Sequence, residues 1–227
     1  MTTRYALIGA HLEQGDADTV EGVTLFTAGP VIISAAPFDD SKGLASRQTI
    51  DSVAMLRGRL LNCQTFVAIR YGASVSSGDE AMPKCRPFID RWHELLVRHR
   101  GKVEMTMKAV AGEGSLRPDR REFISGAGYL RDLQRLRSER ALPVAFESAV
   151  ESAFSPLTEE IRHVDRQDLS REFAFLIPRD KLEDAFELAR TLKEEFPSVP
   201  FLFSGPWPLE EFARLEAEGI AAGTGGC

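Results

Sequence analysis

Residues 171–203 read REFAFLIPRDKLEDAFELARTLKEEFPSVPFLF, and this stretch decides the fold class. Glu172–Ile177 is a short run of apolar and aromatic residues closed by Pro178, the signature of a buried strand. From Lys181 to Phe196 the period changes: Leu182, Ala185, Phe186, Ala189, Leu192 and Phe196 share one face of a helix. Pro197 stops that helix, and Val199–Phe203 predicts another strand. Upstream, Glu160–Val164 fits a short strand. A helical region over about 125–153 carries a stripe of Tyr129, Leu130, Leu133 and Leu136, with Pro143 marking a kink or a break. Val103–Val110 alternates, with Val103, Met105 and Met107 on one face and Glu104, Thr106 and Lys108 on the other. The order β-α-β-β-α-β is that of a ferredoxin-like split βαβ unit, whose four-stranded antiparallel sheet carries its helices on one face.

The preceding hundred residues form a second set. Tyr5–Leu12 predicts a strand, and Val23–Phe26 and Val31–Ala35 predict a hairpin across Thr27-Ala28-Gly29-Pro30. Ile50, Val53, Ala54, Leu56, Leu60 and Leu61 recur at helical spacing over about 46–62. Phe66–Tyr71 reads as one strand ending at Gly72. Gly78 and Pro83 punctuate a loop before a helix with Phe88, Ile89, Trp92, Leu95, Leu96 and His99, stopped by Gly101. The expected fold is therefore α+β in two domains: an N-terminal mixed α+β domain over 1–101, and a ferredoxin-like domain over 102–227 whose Gly-rich last residues fray.

At 227 residues with 43% hydrophobic and 27% charged side chains, the composition is that of an ordinary globular chain. A net charge of −6 argues against nucleic acid. The stretch Arg117–Arg140 holds seven arginines, but Asp119, Glu122, Asp132 and Glu139 dilute them into a solvated helix face. Three scattered cysteines, Cys63, Cys85 and Cys227, make neither a disulfide framework nor a zinc site. With no long apolar stretch at the N-terminus or elsewhere, the expectation is a cytoplasmic protein without membrane insertion.

Patterns that carry chemistry fail one by one. His93 and His99 sit six apart on a helix, and a shared metal needs four. Gly112-Glu113-Gly114 and Gly126-Ala127-Gly128 lack the third glycine and the strand–turn–helix setting of a dinucleotide loop. Gly72-Ala73-Ser74-Val75-Ser76 lacks the closing glycine of a nucleophile elbow. Nothing beside Cys63 or Cys85 lowers a thiol pKa. Adjacent acids such as Glu159-Glu160, Glu194-Glu195 and Glu210-Glu211 diverge. No catalytic, cofactor-binding or metal residue is expected.

Four segments in order resemble the gas vesicle protein F/L family. They are Thr65–Gly72 with its Arg70-Tyr71-Gly72 ending, Gly101-Lys102-Val103-Glu104, the Gly126-Ala127-Gly128-Tyr129-Leu130 helix opening, and Gly205-Pro206-Trp207-Pro208 followed by Phe212. Leu209-Glu210 stands where the family usually has Pro-Tyr, and Val67-Ala68-Ile69 where it usually has Leu-Pro-Val, which marks a divergent branch. The resemblance implies an N-terminal α+β domain, a modified ferredoxin-like domain, and an accessory role in gas vesicle assembly, located at gas vesicles within the cytoplasm. It also implies partners: the small hydrophobic shell protein and other accessory proteins. Candidate partner-contact or domain-interface residues are Arg70, Tyr71, Gly72, Tyr129, Gly205, Pro206, Trp207 and Pro208. Trp207 between two prolines either fills the space between domains or meets a partner. A small-molecule sensor built on the ferredoxin-like unit is the alternative, and the neighbouring genes would discriminate.

Overall fold

A computed structural model describes residues 3–12, 20–109, 128, 142–165 and 171–213. Within these the chain is mixed α+β with two antiparallel sheets. Two compact units emerge. One comprises the described residues up to Glu104 together with those from Pro206 onward, and the other is Met105–Gly205. Sequence reading places a single cut near Gly101. The chain instead crosses between units twice, because residues beyond Gly205 find their buried contacts in the first unit.

In the first unit, β1 (Thr3–Leu12) is the central strand. On one side it pairs with β3 (Val31–Asp39), which pairs in turn with β2 (Thr24–Ala28) across the tight Gly29-Pro30 turn, as the hairpin reading predicts. Ala6–Ile8 and Ala10 of β1 and Val31–Ala36 of β3 are all buried. Continuous burial rather than alternation means both sheet faces are covered. Helix α1 (Arg47–Cys63) begins where the Ser46 hydroxyl accepts from the Thr49 amide at 3.2 Å.

The other edge of β1 departs from expectation. Phe66–Tyr71 is not one strand: β4 (Val67–Ala68) and β5 (Ser74–Val75) lie end to end along β1, opposite Gly9-Ala10 and Tyr5-Ala6. Between them the chain turns at Arg70–Ala73, with Gly72 at φ +107°, a backbone state that L side chains rarely adopt. A register shift in β1 between Leu7 and Gly9 accompanies the break. Gly9 has no room for a side chain, since a Cβ there would lie 2.4 Å from the Phe66 ring and 2.7 Å from the Val67 carbonyl oxygen.

The predicted loop around Gly78 is also a helix, α2 (Gly78–Cys85). Ser77 caps it by accepting from the Glu80 amide at 3.4 Å, while the Glu80 carboxylate accepts from the Ser76 amide at 2.6 Å and from Lys84 at 2.7 Å. These contacts at the first turn outweigh Pro83, which removes a single amide donor from the second. A 3₁₀ turn at Arg86–Phe88 leads into α3 (Ile89–Arg98).

Strand β6 (Lys102–Ala109) leads into the second unit, which holds α4 (Val144–Phe154), β7 (Ile161–Asp165), β8 (Arg171–Pro178), α5 (Leu182–Glu195) and β9 (Phe201–Trp207). The sheet order is β7-β8-β6-β9, so the predicted first and last strands are neighbours. Met105, Met107, Phe173, Phe175 and Ile177 form one core with Phe146, Val150 and Phe154 of α4 and Ala185, Ala189 and Leu192 of α5. Phe154 stacks on Phe175 with ring centroids 4.4 Å apart. Pro143 immediately precedes α4, so its missing amide costs no helical bond.

Candidate functional site

Gly205, two residues before β9 ends at Trp207, takes φ +137°. Pro206 and Pro208 lack amide protons and fix φ, so neither donates to a ladder and the segment stays extended. It returns to the first unit beside β4. The Leu209 amide donates to the Phe66 carbonyl at 2.9 Å, and Leu209 bridges Val67 in parallel sense. A helical turn begins at Glu211. Leu209 and Phe212 are fully buried, whereas Trp207 remains 45% exposed. The segment is thus anchored by the two apolar residues that follow the tryptophan.

Its polar anchor is Glu104. The alternating pattern of β6 predicts this residue on a polar face, yet it is 2% exposed. A single carboxylate oxygen, Oε2, accepts from the amides of Glu210 (3.0 Å), Glu211 (2.9 Å) and Phe212 (3.4 Å). These are the amides that a starting helical turn leaves without intrahelical partners. Burial pushes the Glu104 carboxyl up to about 7; the three amide bonds pull it down, and the nearby Glu211 charge adds to the rise. His99, buried at the end of α3, meets the Phe212 ring edge-on at 6.2 Å. The two histidines of α3 are accordingly in different settings, with His93 only half-buried.

Arg57 of α1 links this anchor to the β4–β5 turn. It donates to the Ile69 carbonyl and, at 3.5 Å, to the Ile8 carbonyl at the irregularity in β1. Burial lowers its pKa, while the charge of Glu210 and the proximity of Tyr71 raise it. Tyr71 donates its hydroxyl to the Leu44 carbonyl at 2.5 Å. Arg70, Tyr71 and Gly72 are exposed on the turn. Of the candidates read from sequence, the turn residues and the Pro206–Pro208 segment therefore lie on the same unit, with Arg57 interacting with Tyr71 of the one and Glu210 beyond the other. Tyr129 lies outside the described residues.

Sequence reasoning missed Glu104, Arg57 and Leu209 as parts of one site. The signal available was positional: Glu104 closes the Gly-x-Val-Glu segment, where a charge recurs inside an otherwise structural motif.

Elsewhere the described residues offer little for catalysis. Ser34 and His11 meet at 2.7 Å, and both are buried in the β1–β3 pair. Cys85 is buried, which raises its thiol pKa, and Cys63 is exposed. A cleft of 380 Å³ between α4 and α5 is lined by Ala153, Pro156, Leu157 and Leu188, and its acids Asp184 and Glu187 pair with Lys181 and Arg190. Among the described residues, no cluster of three or more His, Cys, Asp or Glu could hold a metal, and no helix is long and apolar enough to cross a membrane.

Residues 56–214 match the family described as Gas vesicle synthesis protein GvpL/GvpF. The chain belongs to that family. The GvpL/GvpF match begins one residue before Arg57 and runs past Phe212, so it contains every residue of the anchor just described. Solved structures agree on the fold. The chain is similar to GvpF from Anabaena sp. PCC7120, with a TM-score of 0.67 at 17% identity over 93% of this chain and 96% of that one. It is also similar to GvpF from Microcystis aeruginosa, with a TM-score of 0.65 at 14% identity over 94% and 100% of the two chains. A comparison with curated protein sequences gave no match.

Proposed function

We propose that this GvpL/GvpF-family chain is an accessory protein of gas vesicle assembly that acts by binding other proteins and catalyses no reaction. Its partners in this reading are the apolar shell protein and other vesicle accessory proteins, and it works at gas vesicles in the cytoplasm. The second unit is read as a modified ferredoxin-like module, supported by the neighbouring placement of β6 and β9 and by both helices packing on one core.

The observation that carries the proposal is the family match across the anchored segment, together with an exposed Trp207 held next to that anchor. Shell subunits must be shielded before they assemble, and an aromatic side chain on a rigid, proline-flanked segment is a low-entropy contact for an apolar surface. Tyr71 and Arg70 on the exposed turn of the same unit extend the candidate surface. The deciding experiment is affinity capture of the purified full-length chain with each vesicle protein, paired with deletion of its gene. Capture of the shell protein or an accessory protein, and loss of vesicles on deletion, are expected. Normal vesicles in the deletion strain with no captured vesicle protein would end the proposal.

A further inference from the structure

The cleft between α4 and α5 lies within the second unit and joins an apolar floor to a one-sided charge. Ala153, Leu157 and Leu188 form the floor; they pack on the core yet stay partly open, and Pro156 beside them is exposed. Helical pitch sets Asp184, Leu188, Thr191 and Glu195 in one stripe, with Glu187, Thr191 and Glu194 in the next. Glu183 precedes Glu187 by a turn, so the five acids of α5 gather on the cleft side. Lys193 instead follows Ala189 of the buried face. Lys181 and Arg190 hold Asp184 and Glu187, but in pairs between exposed groups, which are weak and readily exchanged. Glu183, Glu194 and Glu195 are exposed, and no cation among the described residues pairs with them. Glu194 and Glu195 occupy the last turn, where the helix dipole favours cations and opposes carboxylates. Their charge does nothing for the helix itself and suits a cationic neighbour.

We infer that this cleft is a docking groove for an amphipathic helix of a partner protein, apolar along one edge and lined with Lys or Arg beside it. The volume sets the fit. At 380 Å³ the cleft is of the order of one helical turn, about 10–12 Å across and about 5.4 Å long, so it admits the apolar side chains of a helix and leaves its polar face outside. Apolar residues spaced i, i+3 or i+4 would enter between α4 and α5, the helix-in-groove mode, while basic residues run along the acids of α5. A second copy of this chain is a poor occupant, because a symmetric contact would set the two acidic faces against each other. The groove belongs to the unit that does not hold Trp207, and the inference stands whatever the assembly role.

Fluorescence anisotropy with the full chain and a labelled helical Leu/Lys peptide tests it, with a Leu/Glu peptide of the same leucine spacing as comparison. The Leu/Lys peptide should bind at least about tenfold more tightly, and should weaken as salt rises from about 50 to about 200 mM. Ala153→Phe, which fills the floor without changing charge, should weaken binding about tenfold. Glu194→Lys should do the same, and a cation in the last turn leaves the helix intact. Asp51→Lys, an equal charge reversal on α1 of the first unit, should change affinity less than about twofold. Equal binding of both peptides, unchanged affinity in Glu194→Lys, or an equal loss in Asp51→Lys would overturn the inference. So would a dimer of the free chain, seen by sedimentation, that Ala153→Phe dissociates. If Ala153→Phe fails to fold, Glu194→Lys and Asp51→Lys decide.

Discussion

Replacing Phe212 by alanine probes the return of the chain most directly. The side chain is fully buried against His99, and large-to-small substitution of such a phenylalanine costs about 3–5 kcal/mol. The three amides on Glu104 belong to the same segment, so the two anchors form or break together. Glu104→Ala leaves those amides buried without acceptors, at about 1–3 kcal/mol each, for as long as the segment stays docked. Once Phe212→Ala has released it, water satisfies them and Glu104→Ala adds less than about 1 kcal/mol. Urea unfolding of the wild type, both single variants and the double variant at pH 6, followed by circular dichroism, measures all four corners of the cycle. Additive effects, or a Phe212→Ala cost below about 1 kcal/mol, would refute a segment held jointly by an apolar and a polar anchor.

Three further outcomes follow from other parts of the structure. Gly9→Ala drives a methyl group into the Phe66 ring and the Val67 carbonyl, and should lower Tm by about 2–12 °C in a thermal melt. Ser46→Ala removes the acceptor for the Thr49 amide and should cost about 1 kcal/mol in chemical denaturation, with Ser46→Gly costing only a few tenths. Trp207→Ala, at a half-exposed position, should cost less than about 1 kcal/mol of stability but about 2 kcal/mol or more of affinity for the captured vesicle partner, read by titration. A large stability loss there with unchanged affinity would assign Trp207 to packing alone.

What could be read from the chain alone was whatever depends on period and punctuation. The aromatic run 172–177 between charge and proline, the single apolar face of 182–196 and the Gly29-Pro30 hairpin each declare their structure within a few residues, because side-chain alternation and helical pitch are local properties. The family, too, was legible in the order of its short motifs. One local signal was passed over: Ser77 and Glu80 carry the S-x-x-E spacing of a helix start, with Ser77 capping the Glu80 amide and Glu80 reaching back to the Ser76 amide, which makes a helix of the stretch the glycine and proline had marked as loop. Tertiary structure alone decided the rest. Phe66–Tyr71 keeps only the short β4, and pairing resumes at Ser74–Val75, because the chain follows the irregular edge of β1, with Arg57 bonded to the Ile8 and Ile69 carbonyls from another element. Glu104 is buried, against its alternating pattern, because its amide donors arrive from residues 210–212. Such an encounter leaves no trace in the periodicity of either segment, since burial depends on what the fold brings near, whereas periodicity records only how neighbouring residues are spaced.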